Sequence, residues 1–181
     1  MGKPTWEVRD LPNDDAQAKA LWGKVLEDTG NPLLVDFLSR LIEIGKVPAR
    51  DPVRLARAIQ LFSINKIKFF RERPETFRSP LRTVTMGLGD CDDKARFIAA
   101  SLRSFRVPVR LKFIRIKLPL EDGTIRLLGH VYPLAYLNGK WVALESVRKH
   151  PMGYDPETRA KKRGFEVSAQ IIGDKEDNLH A

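Results

Sequence analysis

The dipeptide Asn138-Gly139 constrains this chain more than any other feature. A two-residue type I′ hairpin turn needs positive φ at both central positions, and Asn-Gly is the pair that best tolerates it. Apolar and polar residues alternate on either side, so the turn sets a register between two strands. Counting outward pairs Leu137 with Lys140, Tyr136 with Trp141, Leu134 with Ala143, Tyr132 with Glu145, and His130 with Val147. Facing residues share a sheet face, and the period of two puts His130 on the face of Tyr132 and Glu145. Diagonal neighbours of this kind are roughly 7–8 Å apart at the backbone, a gap that a glutamate can bridge to an imidazole. The register alone equally permits a surface histidine and glutamate that merely share a face.

The only cysteine, Cys91, lies in Gly89-Asp90-Cys91-Asp92-Asp93-Lys94-Ala95. Apolar residues then recur at Ala95, Ile98, Ala99, Leu102 and Phe105, the spacing of one buried helix face, which places Cys91 in a first turn. Unpaired N–H groups and the positive end of the helix dipole favour a thiolate there. The three aspartates oppose it, so a reactive Cys91 needs a nearby cation, such as an imidazolium. The plainer alternative is a small buried hydrophobe. With Cys91 as nucleophile, His130 as base and Glu145 as the group that orients the ring, the two motifs form a complete acyl-transfer set. Gln60 and Asn65, on the helix ahead of the cysteine, are candidate oxyanion donors or solvent-facing polar residues.

With 43% hydrophobic residues, the 181-residue chain can bury a real core, and a lone cysteine excludes an internal disulfide. Trp6 and Val8 suggest an edge-strand lead-in, followed by helices capped at Asn13, Asn31 and Asp51. The inward stripes are Leu34, Phe37, Leu38, Leu41 and Ile44, then Leu55, Ala58, Ile59, Phe62 and Phe69. Residues 71–83 read as loop, punctuated by Pro74 and Pro80. Val107 to Leu118 reads as a strand whose apolar phase shifts near Phe113, through a bulge or burial on both faces. Asp122-Gly123 is a second hairpin turn, and Phe165 to Ile172 a candidate last strand. The fold class is therefore α+β: an N-terminal helical elaboration over 1–50, a core over 51–160, and a basic, then polar, segment over 161–181.

These residues resemble the transglutaminase-like cysteine-enzyme superfamily, in particular its short bacteriophage and prophage versions. The resemblance rests on Phe77-Arg78-Ser79-Pro80-Leu81-Arg82-Thr83, Gly87-Leu88-Gly89-Asp90-Cys91-Asp92-Asp93, Val107-Pro108-Val109-Arg110, Gly129-His130-Val131, Asn138 to Glu145, and Pro151-Met152-Gly153-Tyr154. It implies a papain-like core, with the cysteine at a helix N-terminus packed on an antiparallel sheet. It also implies the roles Cys91, His130 and Glu145. Relatives usually carry aspartate followed by proline and threonine where this chain has Glu145-Ser146-Val147, and the extra methylene alters the geometry.

The leading functional expectation is a thiol-dependent protease, amidase or transglutaminase acting on a peptide or protein amide, with no cofactor. The competing expectation is a non-catalytic phage assembly or virion module that keeps the fold. A net charge of +9 permits an anionic partner, but the cluster Arg159-Ala160-Lys161-Lys162-Arg163 lacks interleaved aromatics, which disfavours nucleic acid. Cys91, Asp92, Asp93 and His130 match no standard zinc spacing, so no metal site is assigned. His150 and His180 read as surface residues. The start lacks a signal-like apolar run, and no stretch approaches the roughly 18 apolar residues of a membrane span. A cytoplasmic location in a bacterial host, or association with a virion, is expected.

Overall fold

The computed structural model describes residues 14–71 and 77–174. The readings of Trp6, Val8, Asn13, Pro74 and His180 fall outside these residues.

Three helices come first: α1 (Asp14–Asp28), α2 (Pro32–Gly45) and α3 (Pro52–Lys66). Asn31 caps α2 by accepting from the N–H groups of Leu33 and Leu34, and Asp51 caps α3 through Val53 and Arg54. In both, proline at the first helical position supplies a preset φ where no N–H partner is needed. The inward stripe of α2 is shorter than its sequence suggests. Leu34 and Leu38 are buried and Phe37 and Leu41 pack against the core, but Ile44, in the last turn before the left-handed Lys46, is 83% exposed. The inward face of α3 is Leu55, Ala56, Ile59, Gln60 and Ser63. Phe69 is not on it: α3 stops at Lys66, and the chain passes into strand β1 (Lys68–Phe69), where Phe69 is exposed.

Part of the expected loop is helical. Helix α4 (Pro80–Met86) starts at Ser79, whose side chain accepts from Arg82 N–H, and ends at Gly87 with φ 63°. Strand β2 (Leu88–Gly89) pairs in parallel with β1 and leads into α5 (Cys91–Ser104). A Cβ on Gly89 would lie 2.9 Å from Asp93 Cβ and 3.0 Å from Thr83 Cγ2, so only glycine fits this entry.

Helix α5 is the centre of the molecule, with every residue from Asp92 to Leu102 buried. Its faces meet α1, α2, α3 and α4, and also β3 (Val109–Pro119) and β4 (Ile125–Leu137). Phe37, Phe62 and Phe97 form an aromatic cluster with centroids 5.4–6.4 Å apart, which joins α2, α3 and α5. Arg96 ties α5 to α1 through Asp28 at 2.6 Å and to the Phe77 carbonyl at 3.0 Å.

The four-stranded sheet has the order β5-β4-β3-β6, with β5 at Lys140–Ala143 and β6 at Glu166–Ile172, and all its pairs are antiparallel. Helix α6 (Pro156–Lys162) precedes β6. The phase shift in β3 reflects burial on both faces. Val109, Leu111 and Phe113 join the α5 side, whereas Ile114 and Ile116 pack with Tyr132 and Leu134, and the β3–β4 register is unbroken throughout. Asn138 and Gly139 have φ of 49° and 79°, and the pairs Leu137–Lys140, Tyr136–Trp141 and Leu134–Ala143 form as the turn dictates. The ladder then stops. Because β5 ends at Ala143, the extrapolated pairs Tyr132–Glu145 and His130–Val147 do not form.

Candidate active site

Cys91 occupies the first position of α5. Asp90 is the cap, its Oδ1 accepting from the N–H groups of Asp92 and Asp93 at 3.1 and 3.2 Å. Asp93 serves a different purpose from capping. Its Oδ1 accepts from Arg78 N–H at 2.7 Å, and this anchors the segment before α4 to the cysteine loop. Burial pushes the Asp93 carboxyl up to about 6.

The thiol lies where β5 has left the sheet. The Leu144 N–H donates to the Pro133 carbonyl, while the Tyr136 N–H donates to the Pro108 carbonyl, ahead of β3. Backbone groups two residues apart point the same way in a strand. Odd-numbered residues of β4 therefore aim toward the β5 side and even-numbered ones toward β3. Past Ala143 the odd row has no strand to pair with among the described residues. Cys91 Sγ lies by the first vacant place, near enough to the Val131 N–H for that group to favour its anion, and the thiol itself donates to Asp92 Oδ1 at 3.4 Å. Burial and the charges of Asp92 and Asp90 push the thiol well up, against a smaller opposing effect of the Val131 N–H. The resting group is a thiol.

His130 immediately precedes Val131. Its Nε2 lies 2.5 Å from Glu145 Oε2. Burial opposes ionisation of Glu145, but His130 and the N–H groups of Val147 and Arg148 outweigh it and hold the carboxyl below its ordinary value. An ionised carboxylate can only accept, so Nε2 carries the hydrogen and Nδ1 is the basic nitrogen of the neutral ring. Tyr132 stacks against the imidazole with centroids 5.6 Å apart. Its hydroxyl donates to Asp155 Oδ1 at 2.5 Å, and Lys112 bonds Asp155 and Glu157 at 3.1 and 2.6 Å, so a buried polar network supports the ring.

His130 of β4 and Glu145, two residues past the end of β5, thus come together, and Cys91 lies by the backbone one residue further on. The sulfur makes no hydrogen bond to the imidazole among the described residues. Gln60 is buried, its Nε2 donating to the Glu145 carbonyl at 2.7 Å, which corrects its reading as a solvent-facing residue. Asn65 is exposed in the last turn of α3.

The family model described as the transglutaminase-like superfamily matches residues 44–146, more than half of the chain. The chain belongs to that superfamily. Its matched region runs through Cys91 and His130 and closes just after Glu145, so a transglutaminase-like core with added N-terminal helices describes the fold. The match is at superfamily level and does not distinguish a bacteriophage version. No match is found among curated proteins. Among solved structures, the chain is similar to a proposed protease from Parabacteroides distasonis, at 12% identity and a TM-score of 0.54, over 81% of this chain and 31% of that one. It is also similar to a proposed cysteine protease from Cytophaga hutchinsonii, at 18% identity and a TM-score of 0.49, over 94% and 55%. Calcium-bound LapG from Legionella pneumophila aligns at 16% identity and a TM-score of 0.47, over 78% of each chain. At 12% identity the first of these likenesses is one of fold alone.

One buried cation beside the candidate site escapes sequence inspection. Lys94 is 1% exposed, yet its Nζ donates to the Ile67 carbonyl at 2.7 Å. Burial lowers its pKa to about 8, and the nearby charge of Glu145 acts in the opposite sense. Only its position three residues after Cys91, on the same helix face, hinted at this. The other motifs have structural employment. His150 stacks on Tyr154, Lys161 pairs with Glu157, and Arg163 covers Phe165. A cavity of about 520 Å³ lies against β5, with walls that include Lys112, Trp141 and Asp155 but none of the three candidate catalytic residues. No described helix is long and apolar enough to cross a membrane.

Proposed function

We propose that the chain is a cysteine-dependent hydrolase of peptide amides, with Cys91 as nucleophile, His130 as general base and acid, and Glu145 as the residue that positions the ring. The observation that carries this reading is the His130–Glu145 hydrogen bond at 2.5 Å, one residue from Val131, whose backbone N–H favours the Cys91 anion. It leaves Nδ1 as the nitrogen able to take a proton. In the reaction the Sγ–H proton passes to His130 while sulfur bonds to the carbonyl carbon. The C–N bond then breaks as His130 returns that proton to the leaving amine, giving a thioester. Water, deprotonated by His130, releases the acid and restores the thiol. The Cys91 N–H, unpaired at a helix start, is one oxyanion donor by position, and the second Nε2 hydrogen of Gln60 is a candidate for another.

The like charges around Cys91 fit this scheme. The resting group is protonated, and the nucleophile forms only when a base takes the proton during attack. Oxidised insulin B chain, incubated with the protein and a primary amine such as methylamine, separates hydrolysis from transfer. New termini that disappear in Cys91→Ala support the hydrolase. Methylamine incorporated at glutamine without cleavage makes the chain a transferase, and neither product would leave a binding module.

A further inference from the structure

The odd-numbered residues of β4 point their backbone groups away from β3, and β5 covers only Leu134 to Leu137. Among the described residues, Ile125, Leu127 and Gly129 therefore present N–H and C=O groups to an open edge, and the next position in that row is Val131, whose N–H lies on the side of Cys91 and favours its anion. Open edges are ordinarily blunted by proline, inward charges or a covering segment. This one is not: its sequence is Ile-Arg-Leu-Leu-Gly, and Ile125, Leu127 and Leu128 are 55%, 42% and 38% exposed. Gly129 lets another backbone approach closely just before the histidine. The chain entering Cys91 adds a second apolar surface. Phe70, half-exposed like Phe69, donates its N–H to the Gly89 carbonyl at 3.1 Å, two residues before the sulfur.

We infer that this edge, Ile125 to Gly129, is the substrate rail: an extended polypeptide adds to β4 as a strand, with apolar side chains on Leu127 and the Phe69–Phe70 ledge. The inference deepens the hydrolase reading and rests on it. A strand rises about 3.4 Å per residue, so positions 129 and 131 are about 7 Å apart, one repeat of an antiparallel ladder. A chain hydrogen-bonded at Leu127 and Gly129 thus carries its next repeat to the place occupied by Sγ, so that a peptide carbonyl arrives at the nucleophile. Main-chain bonds supply affinity and alternate side chains supply selection. The net charge of +9 favours segments that are acidic as well as apolar.

Amide hydrogen exchange on the Cys91→Ala chain, with and without oxidised insulin B chain, tests this without requiring turnover. The Leu127 and Gly129 amides should slow at least tenfold on addition of the peptide, and Leu127→Pro, which removes an outward donor only, should weaken peptide binding about tenfold. Unchanged exchange at both amides overturns the rail even if Leu127→Pro fails to fold. Protection of those amides that rises with protein concentration in the absence of peptide also overturns it, since the edge is then held by a second copy. Failure of the hydrolase reading registers separately, as lack of Cys91-dependent cleavage by the unsubstituted chain.

Discussion

Burial acts most strongly on the Cys91 thiol, and after it the two neighbouring carboxylates outweigh the one backbone donor. Asp92 both accepts from the thiol and repels its anion. Replacing it with asparagine removes a charge that opposes the thiolate, so the thiol pKa falls. Iodoacetamide alkylation of Cys91 at pH 7.5, followed by mass spectrometry, should accelerate about tenfold in Asp92→Asn for each unit the pKa drops. An unchanged rate would show that burial alone controls the sulfur. Glu145 contributes through the ring it holds. Glu145→Gln still offers an oxygen to Nε2 but cannot balance an imidazolium, so cleavage of insulin B chain should fall about a hundredfold or more. Glu145→Asp, which keeps the charge on a shorter stem, should recover part of that loss. At this scale the sequence offered candidate residues and was silent about most of their partners. The turn brought His130 and Glu145 within reach of each other although the ladder stops at Ala143, whereas Gln60 meets Glu145 across 85 positions and Lys94 meets Ile67 across 27. No periodicity reports contacts of that kind.

Among the elements, the β4–β5 hairpin and α5 carry the site. Two positive-φ residues in a row leave one turn type, and that turn fixes the pairs as far as Ala143. The point where β5 ends depends on the chain turning into the core, which no alternation encodes. A β-branched residue at Gly139, where φ is 79°, would strain the turn. Gly139→Val should therefore cost on the order of 1–3 kcal/mol in urea unfolding. Helix α4 was missed because Pro80 reads as punctuation; here it is the first helical residue after a serine cap, in a helix of seven residues. The entry to α5 makes stability depend on pH through Asp93. Its folded pKa, about 6, lies above the ordinary 3.8. The folded state thus binds the proton more tightly, and the associated stability is full below about pH 3.8 and lost as pH rises through 6. Wild type should gain stability over Asp93→Asn on going from pH 7 to pH 5, measured as the difference in urea midpoints. A constant difference would mean that the carboxyl titrates normally.

Among the described residues, a central helix is wrapped by α1 to α4 and the four-stranded sheet, with the short β1–β2 pair at its start. The α+β class and the position of the cysteine were legible because both depend on local periods, 3.6 for α5 and 2 for the strands. The packing around α5 was not, since it is set by which stripes meet. Phe97 sits at that junction against Phe37 and Phe62, and its replacement by alanine should cost about 3–5 kcal/mol in denaturant unfolding. The open edge of β4 likewise emerges only once β5 is known to stop short. What unites these scales is the proposal that sulfur, imidazole and carboxylate act as one unit, and acylation by p-nitrophenyl acetate tests it most directly. The expected result is a burst of one p-nitrophenolate per chain with the acetyl group on Cys91, slowed about a hundredfold or more in His130→Ala. An acetyl group on another residue, or a burst in His130→Ala as fast as in the unsubstituted chain, would contradict it.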